Sequence, residues 1–229
     1  GLGAKQSKPD SRDYSLAKAN ISESMKDSVL HPISSVKNQL RTNACVAFSI
    51  VSAYETARIL SGRDVSGLAV TDYSEYFTYY LARKLSGLEG DDGGSFVRDG
   101  LISAATDGLC LETYWDTDLH DVMTAPSLFS KLLARFLRVK EYYRLNGVID
   151  VKTALSNGFP VIVVLRVRNA FYGTTGSFNA VTSAYTGGLH AMHVIGYDDA
   201  RNSVCIKNSW GSSWGLSGLV WYDQDLFSK

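Results

Sequence analysis

The chain has 229 residues, 45% hydrophobic and 20% charged, a composition that suits an ordinary soluble globular protein able to bury a sizeable core. Its 23 Lys and Arg balance 23 Asp and Glu with no basic cluster, so nucleic acid and anionic membrane surfaces are not expected partners. The most apolar run, Phe159 to Leu165, is far shorter than the ~18 residues of a spanning helix, so no membrane span is expected. No secretory leader pattern precedes Gly1, which fits a cytoplasmic protein or an exported one already trimmed.

From residue 1 to about Asp27 the chain is polar and lacks apolar periodicity, which predicts an arm lying on the surface. Ile33 to Lys37 reads as a short extended run. From Cys45 to about Leu60 apolar residues return at Val46, Ile50, Ala53, Ala57 and Leu60, the spacing of a helix, widened by Phe48, Val51 and Ile59 into the most buried one. Thr42 or Asn43 is its expected N-cap, and Ser61-Gly62 its stop. A strongly aromatic helix is predicted after Thr71-Asp72 as far as Leu85, then a loop over Glu89 to Ser95 and a helix from Phe96 to Asp107 ended by Gly108. Pro126 to about Tyr142 and Val151 to Asn157 complete the helices.

Beyond that point, Val161 to Leu165, Met192 to Tyr197, Ser203 to Asn208 and Gly218 to Tyr222 are short β-branched or aromatic runs bounded by glycine and aspartate, the pattern of strands. Helices followed by strands without alternation predict an α+β fold with a helical lobe and a sheet lobe. The expected division is one domain over 1–229. It comprises the arm 1–27, a mainly helical lobe over about 40–145, and a mainly β lobe built from about 28–39 and 146–229.

Three cysteines, Cys45, Cys110 and Cys205, cannot close a disulfide framework, so at least one thiol is free. Buried cysteines commonly serve as small hydrophobes, and Cys110 and Cys205 read as free core thiols or as a pair. Cys45 differs because it falls in the first turn of the buried helix, where the positive end of the helix dipole is expected to lower a thiol pKa.

Around and beyond this cysteine lie Val36-Lys37-Asn38-Gln39, Ala47-Phe48-Ser49, Gly188-Leu189-His190-Ala191, Gly196-Tyr197 and Asn208-Ser209-Trp210-Gly211-Ser212-Ser213-Trp214-Gly215. In these strings the sequence resembles the papain-like cysteine peptidases, over most of its length. The resemblance implies a papain-like two-lobe fold, with the nucleophile helix in the helical lobe and the His and Asn in an antiparallel β lobe. It makes Cys45 the nucleophile, His190 its acid/base partner, Asn208 the residue orienting the imidazole and Gln39 the side-chain oxyanion donor. It sets Gly93, Gly94, Leu189 and Trp210 about the substrate. His190 lies 145 residues after Cys45, inside the ~130–150 window of such enzymes, whereas Asn208 overshoots it.

The chemistry so implied is cofactor-free hydrolysis of peptide or isopeptide bonds in a peptide or protein substrate, by a thiolate paired with an imidazolium. Acyl transfer or deamidation on the same thioester is the alternative within catalysis, and a non-catalytic cleft that binds extended peptides is the alternative outside it. Lys8-Pro9-Asp10-Ser11-Arg12-Asp13-Tyr14 and Arg98-Asp99-Gly100-Leu101 look like bacterial and phage-type members. Departures from better-known relatives are Thr42 for a disulfide cysteine, Val46 for a tryptophan, and Leu40 and Asn43 for glycines. Asp91-Asp92-Gly93-Gly94 resembles the cleft glycine pair without its preceding cysteine.

Rival readings are weaker. His193 competes as the base, but strand alternation and Gly196-Tyr197 favour His190. His190-x-x-His193 lacks the glutamate of a zinc motif and the cysteines are scattered, so no metal is expected. Asp91-Asp92 and Asp198-Asp199 read as solvated turns, and the arm before Asp27 is too short for a separate inhibitory domain.

Overall fold

The computed structural model describes all residues except 9, 11–12, 17–18, 20, 22–23, 64–71, 180–181 and 228–229. Parts of the Lys8–Tyr14 string and Thr71, one of the two residues expected to precede the second helix, therefore lie outside the described residues. Strands β1 (Ala4–Lys5) and β2 (Ser28–Leu30) precede helix α1 (Cys45–Leu60), whose bounds coincide with those predicted. Every residue from Cys45 to Ala53 is buried, because α1 is packed between two other helices and the sheet. Its N-cap is Ala44, with no side-chain cap, and not Thr42 or Asn43. Those two side chains are spent elsewhere, on the carbonyl oxygens of Gln39 and Asp92.

Helix α2 (Glu75–Leu85) begins later than predicted because Ser74 caps it, accepting from the Phe77 N–H at 3.2 Å. Strand β3 (Ser95–Phe96) leads into α3 (Val97–Thr106), which Gly100 lets approach α1: a Cβ there would come within 2.4 Å of Ile50 Cδ1. The helix predicted over 126–142 is only α4 (Leu128–Ala134). Downstream of it the backbone turns to pair with another segment, Leu137 accepting from the Leu109 N–H and Val139 donating to the Ala104 carbonyl. Helix α5 (Val148–Ser156) closes the helical series before the sheet.

The sheet contains β4 (Val161–Arg168), β5 (Ser177–Phe178), β6 (Tyr185–Asp198), β7 (Ser203–Lys207) and β8 (Leu219–Asp223), and a short helix, α6 (Gln224–Phe227), follows. Its order is β2-β6-β7-β8-β5, with β4 also on β6. The long strand β6 starts well before the predicted Met192, because Thr186-Gly187-Gly188 masks the apolar alternation while β4 pairs with it as far as Arg168↔Tyr185. The fold is α+β, a helical lobe against a largely antiparallel sheet lobe.

Val161, Val163, Met192, Val194, Val204 and Ile206 belong to the sheet-lobe core, whereas Cys45, Val46 and Ile50 pack with Ala191 of β6 where the lobes meet. The surface arm is corrected in part. Gly3, Ala4 and Leu16 are buried, since β1 pairs with β3 and Leu16 joins the sheet-lobe core.

A buried polar network not foreseen from the sequence also joins the lobes. Lys37 Nζ lies 2.7 Å from Glu75 and 3.6 Å from Glu55, and also binds Asp72. Ser34 donates to Glu55 at 2.5 Å and accepts from Lys207 at 2.9 Å. Burial pushes the Glu75 carboxyl up to about 8 and Lys207 down to about 8, opposite directions with one physical cause.

Candidate active site

Helix α1, which begins at Cys45, packs on β6, which carries His190, and β6 pairs with β7, after which comes Asn208. His190 Nε2 lies 2.7 Å from Asn208 Oδ1, and that oxygen also accepts from the Ser209 N–H at 2.8 Å. A carbonyl oxygen can only accept, so Nε2 carries the hydrogen and the lone pair of the neutral ring is on Nδ1. Nδ1 has no hydrogen-bond partner. The Trp210 indole stacks on the imidazole, with centroids 4.8 Å apart, and its ring is stacked in turn with Tyr172 at 5.2 Å. The apolar cover keeps water from the His190–Asn208 bond.

Cys45 and Ala191, the neighbour of His190, pack in one cluster, and the main-chain N–H groups of Ala191 and Gly3 favour the Cys45 thiolate. Burial nevertheless pushes the thiol pKa up, so the expected net lowering by the helix dipole is corrected: desolvation outweighs it. Burial likewise holds His190 down, to about 4, against the opposing pull of Asn208. Both groups are therefore neutral in this arrangement, thiol and imidazole.

A folded pKa below the ordinary 6.5 means that the unfolded chain binds more protons between pH 4 and 6.5. The stability His190 contributes is complete above that window and lost as the pH falls through it. In a Cys45→Ala variant the His190 ring is expected to titrate near pH 4 by NMR, and an ordinary value would refute its burial.

Gln39 is fully buried. Its Oε1 accepts from Ser209 Oγ at 2.6 Å, which turns Nε2 outward to donate to Thr42 O at 2.7 Å and to Gly1 O at 3.2 Å. Leu40 adopts φ +53°, a left-handed conformation that favours glycine, and its N–H donates to Asn38 Oδ1 at 2.9 Å. The backbone keeps the glycine-like turn despite the leucine, whose side chain is exposed.

Residues 1–5 run through the cleft, which the sequence did not signal. The Ser95 N–H donates to Gly3 O at 2.9 Å, and β1 lies parallel to β3 with Ala4 opposite Ser95. The approach is so close that a Cβ on Gly94 would stand 2.0 Å from Gly3 O, and one on Gly3 would stand 1.8 Å from Asn43 O. Leu2 lies against Gly188, and Leu189 borders the Cys45 cluster. An open cavity of about 380 Å³ beside Trp210 is lined by Gly1, Leu2, Asn38, Leu40, Tyr172 and Trp210. Gly93 is exposed next to Gly94.

His193 is not beside His190: its Nδ1 pairs with Ser52 Oγ at 3.0 Å, deeper along α1. Cys110 and Cys205 are free and buried, each pushed up to about 12 by desolvation. Asp92 is no solvated turn residue, because it binds Asn43 and Tyr79. Among the described residues no cluster of three or more His, Cys, Asp or Glu is placed to hold a metal ion, and no helix is long and apolar enough to cross a membrane.

Residues 105–226 match the profile of the papain family cysteine proteases. The chain is 28% identical to a peptidase C1-like protein of Acanthamoeba polyphaga mimivirus, over 76% of this chain and 60% of that protein. It is 25% identical to mouse cathepsin O over 83% of this chain and 59% of cathepsin O, so it spans about 60% of the length of these relatives. The crystal structure of xylellain, a cysteine protease from Xylella fastidiosa, superposes with a TM-score of 0.89 at 27% identity, covering 100% of this chain and 91% of xylellain. On the family match, which takes in more than half of its residues, the chain belongs to the papain family of cysteine proteases.

Proposed function

We propose that the chain is a cysteine peptidase of the bacterial and phage-type branch, cleaving peptide or isopeptide bonds, with residues 1–229 acting as one catalytic domain. The observation that carries this reading is the His190 imidazole, held by Asn208 through Nε2 with the Nδ1 lone pair unpartnered and the Cys45 helix terminus packed against its neighbour Ala191.

In this reading Nδ1 takes the Cys45 proton as sulfur attacks the acyl carbon, because two buried neutral groups gain charge only together. The developing oxyanion is stabilised by Gln39 Nε2 and the Cys45 N–H. The imidazolium then protonates the leaving amine, the C–N bond breaks and a thioester remains. Water, deprotonated by His190, hydrolyses the thioester and restores the thiol. Gln39 already donates to a carbonyl oxygen in the cleft, that of Gly1, which supports its part. Gly93, Gly94, Leu189 and Trp210 line the path of the bound peptide.

Mass spectrometry of a peptide library after incubation tests the reading. New peptide N-termini that disappear with Cys45→Ala are expected. Ammonia release or amine incorporation without new termini would instead assign a deamidase or transferase, and intact peptides bound without reaction would assign a binding protein.

A further inference from the structure

The loop from Gln39 to Cys45 carries both oxyanion donors of the proposed reaction, and α1 starts with neither a side-chain cap nor an acidic residue in its first turn. A residue distant in sequence makes up the deficit. The Asp92 carboxylate accepts the Asn43 N–H through both oxygens, at 3.0 and 3.1 Å, and Asp92 O accepts from Asn43 Nδ2 at 2.7 Å. The same carboxylate accepts from Tyr79 Oη at 2.6 Å, and Tyr79 Oη accepts from the Gly94 N–H at 3.0 Å.

Asp92 is itself fixed from α2. Arg83, one turn beyond Tyr79 and 4.1 Å over its ring, donates to Asp91 O and Val122 O. Burial and the Asp92 carboxylate both push the Tyr79 phenol up, so the phenol stays protonated as the donor. The outcome is a continuous run of hydrogen bonds from a buried helix, through Asp92, to the backbone two residues before Cys45. Charge-assisted bonds of this kind are about twice as strong as neutral ones.

We propose that Asp92 is a positioning residue for oxyanion stabilisation, clamping the Asn43 backbone between Gln39 and Cys45 and tying the same loop, through Tyr79, to the cleft glycine Gly94. The inference rests on the peptidase reading and names a residue that acts through others, never touching substrate. In Asp92→Asn the oxygen at the Oδ1 position still serves the Tyr79 hydroxyl and the Asn43 N–H, but the charge is gone and an NH2 at the Oδ2 position faces the Asn43 N–H donor, so the loop loosens. A misplacement of about 1 Å at a catalytic group costs roughly 100-fold in rate.

The test compares kcat at saturating peptide, KM, the rate of iodoacetamide alkylation of Cys45, and amide hydrogen exchange at Asn43 in the full chain. Asp92→Asn is expected to lower kcat by about 10- to 100-fold while KM and alkylation change less than about twofold, because the thiol and His190 are untouched. Tyr79→Phe, which removes one arm of the clamp without altering a charge, is expected to give a smaller fall in kcat and serves if Asp92→Asn does not fold. An unchanged kcat in both folded variants, or alkylation falling in step with kcat, would overturn the proposal. Were the parent chain to cleave no peptide, the peptidase reading would fall on its own. Asn43 exchange would still decide the clamp, being slow in the parent and fast in Asp92→Asn if the clamp exists, and equal in both if it does not.

Discussion

Cys45→Ala and His190→Ala are each expected to lower kcat/KM on a peptide substrate by about 1,000-fold or more, and the double variant to be scarcely worse than either single one. The physical reason is that the two residues perform one act. Burial raises the Cys45 thiol and lowers His190, so neither ionises readily alone, and the thiolate exists only as the imidazole accepts its proton. Additive losses would show that they act separately and would sink the shared-proton mechanism. Steady-state kinetics suffice, with active-site titration to count competent molecules and thermal unfolding to show that each variant is folded.

Gly3→Val is expected to act in the opposite direction and raise kcat/KM by about tenfold, chiefly through a lower KM. On the peptidase reading residues 1–5 occupy the groove proposed for the substrate, and their seat depends on the missing side chain at Gly3: a Cβ would meet the Asn43 carbonyl oxygen at 1.8 Å, a backbone atom with nowhere to go. The substitution should expel the segment, uncover the Ser95 N–H that now donates to Gly3 O, and free the Gln39 amide from Gly1 O. A tenfold change corresponds to about 1.4 kcal/mol of lost competition, modest against the contacts removed. Unchanged kinetics in a folded Gly3→Val protein would mean that the segment leaves the cleft readily, and that its closeness to the thiol is without consequence for turnover.

The uneven legibility of this chain follows from the range over which each signal acts. The apolar spacing of Val46, Ile50, Ala53 and Ala57 marks α1 to its observed bounds, because a helix buried on most sides must repeat its apolar residues locally. The stops at Gly62 and Gly108 are equally local, each a glycine at positive φ. Local signals failed where distant partners competed. The segment after Ala134 has helical composition, yet its backbone pairs with Leu109 and Ala104, and β6 extends across its own glycines because β4 supplies the partner.

The candidate site divides along the same line. Its residue types and their order along the chain, a cysteine opening a buried helix, then a histidine, then Asn-Ser-Trp-Gly, are properties of the linear string and could be read there. Which groups are charged, what holds them and what lies over them could not. The Asn43–Asp92 contact joins residues 49 positions apart and Ser52–His193 joins residues 141 apart, so no window along the chain contains both partners. Desolvation, which makes both Cys45 and His190 neutral, and the Gly3–Gly94 approach that brings residues 1–5 into the groove exist only once the two lobes have closed on each other. Periodicity and order are carried by neighbours in the chain; burial and long-range hydrogen bonding are carried by neighbours in space.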